Sequence, residues 1–212
     1  MIGCVLLAGG KSSRMNSVDK TLLEIYGHSL LSIILNKLEL DKNKIVLNTN
    51  REPEIFKQYK LNIIKDSLPH HQGPLAGILS GLEWFDKQNM DFEWIVSMPI
   101  DTPFFPKNLI RKLYDETIKK NKLIGVAKSN GRNHPVFSIW HISLKKPLIK
   151  ALNSNIRKID LFTKTYTPVE VEFKSSVDQF FNINTPEDLE IAKTMYKEGH
   201  LWVQSANLHH LK

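Results

Sequence analysis

An apolar run from Ile2 to Leu7 leads directly into Ala8-Gly9-Gly10-Lys11-Ser12-Ser13-Arg14-Met15-Asn16-Ser17-Val18-Asp19-Lys20. The pattern predicts a strand that ends in a loop with paired glycines, small hydroxyl residues and three cations. Adjacent glycines allow positive φ angles and let another group approach the backbone closely. Exposed backbone N–H groups in such a loop, with Lys11, Arg14 and Lys20 beside them, bind chains of phosphates. The loop therefore favours an enzyme that handles a nucleoside triphosphate.

The composition is that of one large globular domain with a basic surface. The chain has 212 residues, of which 42% are apolar, so one sizeable core can be buried. The net charge of +7 favours polyanionic partners such as nucleoside triphosphates, phosphorylated cofactors and nucleic acid. Because the basic residues are scattered rather than clustered, we expect no nucleic-acid partner. We expect one domain over residues 1–198 and a loosely attached tail over 199–212, where helical periodicity is weak.

The sequence shows no pattern of secretion or membrane insertion. Cys4 is the single cysteine, which excludes an intrachain disulfide and agrees with a reducing compartment. No apolar stretch approaches the roughly 18 residues that cross a bilayer, and the pattern of a signal peptide is missing. We therefore expect a cytoplasmic protein with no membrane segment.

Short apolar strands alternate with stretches of helical periodicity along the chain. Strands are predicted at 2–7, 44–47, 61–65, 94–98, 123–127, 136–140 and 168–171. Helices are predicted at 29–40, 54–59, 75–85, 106–119, 143–152, 156–162 and after Thr185, where Asp188 completes a capping box. The alternation predicts an α/β fold with three layers, α/β/α, around a Rossmann-like, mostly parallel sheet. The turn at 129–132 predicts a small antiparallel element.

The polar residues that could carry chemistry each follow a predicted strand. The glycine loop follows the first strand, Asn48 the second, Asp66 the third and Asp101 the fourth. In a parallel sheet the ligand crevice lies beyond the carboxyl ends of the strands, where the strand order reverses. We therefore expect these groups to line one crevice. Asp101 also stands between Pro99 and Pro103 after a buried strand, a place that suits a Mg²⁺ ligand.

Several motifs, in order along residues 2–195, resemble those of the molybdenum cofactor guanylyltransferases, the MobA family of nucleotidyltransferases. They are Leu7 to Lys20, with Asn16 where the family usually has glycine, Asn48-Thr49-Asn50-Arg51, Asp66-Ser67, Gly73-Pro74-Leu75-Ala76-Gly77, Asp101-Thr102-Pro103 and Asn182-Ile183-Asn184-Thr185-Pro186-Glu187-Asp188-Leu189. Asparagine tolerates the left-handed conformation better than most residues, so the turn at Asn16 is expected to survive. The resemblance implies a fold of the nucleotide-diphospho-sugar transferase type.

The resemblance also implies a reaction. The family transfers GMP from GTP to molybdopterin that carries molybdenum, which forms the guanine dinucleotide cofactor and releases pyrophosphate. Since the nucleophile and the electrophile are both anionic, such a site must mainly neutralise charge and hold an in-line geometry. By resemblance, Arg14, Lys20 and Asp101 are the catalytic residues, and Asp101 is the ligand of Mg²⁺. The implied partners are GTP, molybdopterin and, transiently, other proteins of molybdenum cofactor maturation.

The resemblance further assigns a nucleotide site and a pterin site. The implied nucleotide-binding residues are Leu7, Ala8, Gly9, Gly10, Lys20, Asn48, Asp66, Gly77 and Asp101. Guanine presents an N1–H and an exocyclic amine as donors, so a carboxylate such as Asp66 suits its edge. The implied pterin-binding residues are Arg132, His134, Asn182 and Asn184. Because side chains alternate along an extended segment, Asn182 and Asn184 are expected to point to one face.

Several of the site residues also have a purely structural interpretation. Lys20 can be a solvated lysine, Asp101 a cap before the next helix, and Asp66 a solvated loop residue. Asn182 and Asn184 can form a turn ahead of the last helix.

Other functions remain open. The nearest are a cytidylyltransferase of the same cofactor pathway and a sugar-phosphate nucleotidyltransferase, whose relatives commonly carry Leu-Ala-Ala-Gly where this chain has Leu7-Ala8-Gly9-Gly10. A non-catalytic delivery protein that binds GTP or the cofactor is the second, although Arg14, Lys20 and Asp101 together argue against it. A nucleic-acid binder is the third. The loop lacks the glycine spacing of P-loop ATPases and of dinucleotide dehydrogenases, which disfavours both classes.

Overall fold

The computed structural model describes residues 1–9, 23–68, 73–88 and 90–198 of the chain. The strands in these residues are β1 (Ile2–Leu7), β2 (Glu24–Ile25), β3 (His28–Ser29), β4 (Ile45–Asn48), β5 (Asn62–Ile64), β6 (Trp94–Pro99), β7 (Ile124–Ser129), β8 (Arg132–His141) and β9 (Val169–Glu172). The α-helices are α1 (Leu30–Lys37), α2 (Pro74–Asp86), α3 (Leu109–Lys119), α4 (Lys145–Asn153), α5 (Ile159–Lys164) and α6 (Pro186–Lys197). Short 3₁₀ helices lie at Lys42–Lys44, Pro53–Tyr59 and Ile142–Leu144. The predicted alternation of strands and helices is confirmed.

The main sheet has the strand order β5-β4-β1-β6-β8-β7-β9. The strands β5, β4, β1 and β6 are parallel to one another, and β8 pairs antiparallel with both β6 and β7. Because β9 pairs parallel with β7, every strand of this sheet except β8 runs in one direction. The prediction of a mostly parallel sheet is confirmed. The antiparallel strand β8 lies inside this sheet rather than at its edge.

The strand order reverses beside β1. After β1 the chain adds β4 and then β5 on one side, and it crosses back to add β6 on the other side. The edge of the sheet where β1, β4 and β6 end, at Leu7, Asn48 and Pro99, is called the carboxyl edge below. In open α/β sheets a crevice forms at such a reversal and is the usual place for a ligand.

Helices cover both faces of the sheet. Leu6 of β1 packs in a core with α1 and α3, whereas its neighbour Val5 packs in a second core with α2, α4 and α5. The two residues separate in this way because successive side chains of a strand point to opposite faces. Full burial of one such aliphatic side chain stabilises the fold by about 1.5–3 kcal/mol. The predicted three-layer arrangement is confirmed.

The last helix, α6, packs outside these layers against the β2–β3 hairpin and α1. Ile25, Leu30 and Ile183 belong to the small core that this contact buries. The helix begins at a capping box, in which Thr185 Oγ1 accepts from the backbone N–H of Asp188 at 3.1 Å. Asp188 Oδ2 accepts in return from the backbone N–H of Thr185 at 2.9 Å. The predicted capping box is confirmed.

The β2–β3 hairpin is absent from the sequence prediction. Tyr26 and Gly27 form its turn with φ angles of +48° and +77°, and turns with two positive φ angles join antiparallel strands well. Each of the two strands is only two residues long, which is too short to show an alternating pattern.

Several predicted boundaries differ from the structure. The helix predicted from residue 106 begins at Leu109, because Pro106 and Leu109 close a turn in which Leu109 N–H donates to the Pro106 carbonyl at 2.9 Å. The helices α1 and α5 are also shorter than predicted, and β8 extends four residues earlier, from Arg132 rather than 136. No helix in the described parts of the chain is long and apolar enough to cross a membrane.

Candidate active site

The carboxyl edge brings together several residues of the predicted nucleotide site. Leu7 at the end of β1 pairs with Asn48 at the end of β4 in parallel register. The backbone N–H of Ala8 donates to the carbonyl of Asn48 at 2.9 Å, and that of Ile100 donates to the carbonyl of Leu7 at 3.2 Å. These bonds extend the sheet by one residue past the strand ends. The chain that leads to Asp101 therefore leaves the sheet beside the end of β1.

Asp66 lies two residues beyond β5, and two side-chain amides hold its carboxylate. Asn48 Nδ2 donates to Asp66 Oδ1 at 3.1 Å, and Asn50 Nδ2 donates to Asp66 Oδ2 at 3.0 Å. The backbone N–H of Asp66 donates in return to Asn50 Oδ1 at 3.1 Å. Asn48 is buried, Asp66 is half-buried and Asn50 is exposed, so the Asp66 side chain is partly open to solvent.

The loop after Asp66 is fastened to α2. The backbone N–H of Ser67 donates to Ser80 Oγ at 2.9 Å, and Ser80 Oγ donates to the carbonyl of Ala76 at 3.0 Å. Ser80 is buried within α2, so this link comes from the helix side of the crevice.

Gly77, in the first turn of α2, lets the helix press against the ends of β1 and β4. A Cβ atom at this position would lie 2.6 Å from Leu7 Cδ2 and closer still to Asn48 Oδ1. Such a distance is below the 3.0 Å that real Cβ atoms keep from other atoms. Gly77, Leu7 and Asn48, all predicted for the nucleotide site, are therefore neighbours in the fold.

Asp101 stands two residues beyond β6, with a half-exposed carboxylate. The hydroxyl of buried Thr102 lies 3.4 Å from Asp101 Oδ1, and the backbone N–H of Ile183 donates to the carbonyl of Asp101 at 2.9 Å. Over the described ranges, no cluster of three or more potential metal-ligating side chains occurs. A single carboxylate still fits Mg²⁺, which typically takes one or two carboxylates and completes its shell with phosphate oxygens and water.

The segment with Asn182 and Asn184 is tied to Asp101 through Ile183. Ile183 is buried, whereas Asn182 is exposed and Asn184 is half-exposed. This alternation is what an extended segment produces, so the asparagines lie on the side opposite to Ile183. The backbone N–H of Asn184 donates to Asp188 Oδ2 at 2.9 Å, which joins the segment to the cap of α6.

The β7–β8 hairpin reaches the same edge. Ser138 of β8 pairs antiparallel with Ser97 of β6, so the first residues of β8 extend past the carboxyl end of β6. Arg132 and His134 are among these residues, and Arg132 is exposed. The hairpin therefore places both predicted pterin-binding residues on the side of the sheet where Asp101 lies.

His134 is held by a hydrogen bond and a stacked ring. Its Nε2 and Ser129 Oγ share a hydrogen bond of 2.8 Å, and its ring stacks on Phe180 with centroids 4.3 Å apart. Burial lowers the pKa of His134, and the charge of Arg132 lowers the pKa further, against an opposing effect of Asp178. The imidazole is therefore mostly neutral at pH 7.

The rest of the predicted phosphate-binding loop lies outside the described residues. Gly10, Arg14 and Lys20 belong to this part, so their contacts with the phosphates stay predictions. Gly9 is described, and a Cβ there would have no atom of the described residues within 4 Å.

Two further residues support the site although no role is predicted for them from the sequence. Asn50 holds Asp66. The sequence feature that could have indicated this role is its spacing from Asn48, because side chains two residues apart in an extended segment lie on the same face. Ser80 has no local signal, since its bond to Ser67 arises only from the packing of α2.

The chain is similar to a known domain family over most of its length. The profile of the MobA-like NTP transferase domain matches residues 4–166. A relative from Rhodopseudomonas palustris (strain BisB5), named molybdenum cofactor guanylyltransferase, is 41% identical over 187 residues, which cover 87% of this chain and 89% of the relative. A Yersinia pestis relative of the same name is 35% identical and is aligned over 88% of this chain and 92% of its own length.

Solved structures agree with this similarity. The molybdopterin-guanine dinucleotide biosynthesis protein A of Archaeoglobus fulgidus superposes with a TM-score of 0.73 at 26% identity, over 93% of this chain and 100% of that chain. The 4-diphosphocytidyl-2C-methyl-D-erythritol synthase of Anaerococcus prevotii superposes with a TM-score of 0.69 at 15% identity, over 93% and 96%. The second similarity shows the fold alone.

Proposed function

The chain belongs to the MobA-like NTP transferase family, and from this premise we propose that it transfers GMP from GTP to molybdenum-molybdopterin. The products are molybdopterin guanine dinucleotide and pyrophosphate. The observation that carries the proposal is the 41% identity, over 187 residues, to a relative named molybdenum cofactor guanylyltransferase. As a member of this family the chain is a nucleotidyltransferase.

The proposed chemistry is an in-line displacement at phosphorus. A phosphate oxygen of the pterin attacks the α-phosphorus of GTP, and the bond from that phosphorus to the bridging oxygen breaks, so pyrophosphate leaves. Both reactants are anions, and the main task of the protein is to neutralise charge and align them. Arg14 and Lys20 are proposed to contact the phosphates, together with backbone N–H groups of Ala8, Gly9 and Gly10.

The base is proposed to bind beside Asp66. Its carboxylate accepts from guanine N1–H and from the exocyclic amine, which are adjacent donors on one edge of the base. Leu7, Asn48 and Gly77 are proposed to line this part of the site. Their mutual contacts at the ends of β1 and β4 and the first turn of α2 support the proposal.

Asp101 is proposed to hold Mg²⁺. The half-exposed carboxylate at the carboxyl edge has the chemistry of a Mg²⁺ ligand, and a single carboxylate suffices when phosphates and water complete the shell. When bound there, Mg²⁺ would neutralise charge on the phosphate oxygens of GTP. Ile183 holds the backbone of Asp101 through a hydrogen bond to its carbonyl, and Thr102 contacts its side chain.

The pterin is proposed to bind across the other half of the carboxyl edge. Asn182 and Asn184 offer amides beside Asp101, and Arg132 and His134 come from the β7–β8 hairpin. A neutral His134 can donate one hydrogen bond to the pterin ring, or accept one from it, without adding charge to the site. Handover of the pterin and of the product implies transient contact with other maturation proteins, and the cytoplasm is the proposed compartment.

The alternatives differ from this proposal in what they bind and turn over. The names of the relatives favour guanylyl over cytidylyl or sugar-phosphate transfer. A delivery protein would bind GTP without releasing pyrophosphate, and a nucleic-acid binder would need neither GTP nor pterin.

The test is turnover by the full chain with molybdenum-molybdopterin, Mg²⁺ and one nucleoside triphosphate at a time. We expect pyrophosphate release and a guanine dinucleotide product, identified by mass, with GTP at least about tenfold better than CTP, ATP or UTP. A preference for CTP would replace guanylyl by cytidylyl transfer. Binding of GTP without any product would favour the delivery protein.

A further inference from the structure

We propose that Asn50 is a positioning residue that sets base specificity, because it orients the Asp66 carboxylate so that both oxygens face the guanine edge. The inference rests on the proposed function, since it concerns the base site of the same reaction. It goes beyond that function in assigning a task to a side chain that does not itself contact the base.

The geometry that points to Asn50 is a reciprocal pair of hydrogen bonds. Its Nδ2 donates to Asp66 Oδ2 at 3.0 Å, and its Oδ1 accepts from the backbone N–H of Asp66 at 3.1 Å. Both ends of the amide are thus engaged by one residue. Two contacts that run in opposite directions fix the side chain and the backbone of Asp66 at the same time.

Asn48 completes the arrangement from the buried side. It donates to Asp66 Oδ1 at 3.1 Å, so each carboxylate oxygen receives one amide N–H. A carboxylate oxygen can accept about two hydrogen bonds, so with respect to the described residues one acceptor position remains on each oxygen of Asp66. The two remaining positions match two adjacent donors on a ligand.

Guanine is the common base that offers such a pair, through N1–H and its exocyclic amine. Hypoxanthine, the base of ITP, keeps N1–H and lacks the amine, so it can use only one of the two acceptor positions. The carboxyl group of an aspartate turns easily about its last torsion angle, because that torsion has a broad energy profile. A carboxylate held by Asn48 alone would therefore lose the alignment that distinguishes the two bases.

The surroundings indicate that a variant at this position keeps its fold. Asn50 is exposed, and the loop after Asp66 has its own anchor in the bond from Ser67 N–H to Ser80 Oγ. Truncation of Asn50 removes two hydrogen bonds at the surface and leaves no cavity in a core.

The experiment measures the equilibrium binding of GTP and of ITP, with Mg²⁺ and without pterin, by the full wild-type chain and by Asn50→Ala. We expect Asn50→Ala to weaken GTP binding about tenfold and ITP binding about threefold or less, so that the GTP preference falls by a factor of about 3 or more. In turnover assays KM for GTP should rise, while kcat at saturating GTP should stay within about twofold, since Asp101 is untouched.

Two further variants sharpen the result. Asn50→Asp has the same shape and keeps an acceptor for the Asp66 N–H, but it places a second carboxylate beside Asp66. We therefore expect it to weaken GTP binding more than Asn50→Ala does. Asn43→Ala, at an exposed asparagine in the 3₁₀ helix Lys42–Lys44, is the control and should match the wild type in both ligands.

The outcomes separate this inference from the proposed function. An unchanged ratio of GTP to ITP affinity in Asn50→Ala, whether both affinities fall together or neither changes, would overturn the positioning role. If Asn50→Ala only damages the local structure, the affinities for GTP and ITP fall by the same factor, which is one form of an unchanged ratio. A wild-type chain that does not prefer GTP to CTP would instead contradict the proposed function.

Discussion

At the scale of single residues, two aspartates that follow different strands, β5 and β6, are proposed to serve different ends of the nucleotide. Asp66 is held by the amides of Asn48 and Asn50, which supports its proposed role as a fixed acceptor for the base. Asp101 is half-exposed beside the buried Thr102, and its proposed role is that of a metal ligand at the phosphates. Substitutions at the two positions should therefore affect different kinetic constants.

Asp101→Ala is expected to abolish most turnover while GTP still binds measurably. Loss of the proposed metal ligand removes charge neutralisation at the phosphates, and we expect kcat to fall about 100-fold or more. Pyrophosphate release and equilibrium binding of GTP measure the two effects. Asp115→Ala, at an aspartate paired with Arg111 on the surface of α3, is the control and should keep wild-type turnover. Wild-type kcat in Asp101→Ala would refute the metal role.

His134 gives a prediction for the pH dependence of stability. Because burial lowers its pKa in the folded protein, folding favours the neutral imidazole. The stability from this group is fully present above the pKa of the unfolded chain and is lost as the pH falls through the folded pKa. Between about pH 7 and about pH 5, the free energy of unfolding should fall more in the wild type than in His134→Gln. Urea denaturation at each pH measures it, and equal slopes would contradict the lowered pKa.

Single residues of the site were predictable from the sequence where they follow strands. Asn48, Asp66 and Asp101 each end or follow a strand of the parallel sheet, and the rule for ligand crevices groups them. Asn50 is less predictable, because its partner Asp66 comes from another strand. The contact of Ile183 with Asp101 joins residues 82 positions apart and could not be derived from local patterns.

At the scale of elements, the approach of α2 to the sheet depends on Gly77. The first turn of this helix lies against Leu7 and Asn48, whose side chains would have to shift to admit a Cβ atom at Gly77. A helix normally loses some stability with glycine in its interior, and the close approach of Leu7 and Asn48 accounts for a glycine at this position.

Gly77→Ala is expected to destabilise the protein by about 1–3 kcal/mol, because the added Cβ overlaps Leu7 and Asn48. Since Asn48 also holds Asp66, GTP affinity should fall as well. Denaturant unfolding and GTP binding measure the two effects. Glu83→Ala, on a half-exposed position of the same helix, is the matched control and should leave both unchanged. A Gly77→Ala protein as stable as the wild type would contradict the close packing.

The cap of α6 is linked to the proposed pterin segment. Asp188 Oδ2 accepts from the backbone N–H groups of both Thr185 and Asn184 at 2.9 Å. Asp188→Ala should lower stability by about 1 kcal/mol and raise KM for the pterin more than KM for GTP. Glu187→Ala, exposed in the same first turn but outside the cap, is the control. Equal changes in both KM values would argue against a pterin role for this segment.

The elements themselves were largely predictable because their patterns are local. The strand at Ile2–Leu7 has the predicted bounds, and the capping box at Thr185 marks the last helix. The β2–β3 hairpin was not predictable, since it depends on packing against α6 rather than on a pattern of its own. The predicted start of α3 is three residues too early, because the turn after Pro106 resembles a helical turn in sequence.

At the scale of the whole molecule, the parallel sheet gathers distant residues at one edge. The reversal of strand order beside β1 places the ends of β1, β4 and β6 together, and β8 brings its first residues to the same side. The parallel part follows from the alternation of strands and helices in the sequence. The position of β8 between β6 and β7 could not be predicted in this way, because sequence patterns do not determine the order of strands.

The net charge of +7 adds a prediction about salt. Attraction of GTP by exposed cations is screened by ions, so GTP binding should weaken several-fold between about 50 mM and about 500 mM NaCl. The preference for GTP over ITP should stay constant, because it comes from short-range hydrogen bonds at Asp66. Binding titrations at both salt concentrations measure it. If the preference for GTP over ITP falls with salt, long-range electrostatic attraction rather than hydrogen bonding at Asp66 selects the base.

We propose that the carboxyl edge binds the base at Asp66 and the triphosphate near Asp101. A crystal structure of the protein with GTP and Mg²⁺ tests it most directly. We expect the guanine edge within hydrogen-bond distance of both Asp66 oxygens, and Mg²⁺ about 2.1 Å from an oxygen of Asp101. GTP bound on another surface, or a metal ion that the Asp101 carboxylate does not reach, would rule out this arrangement.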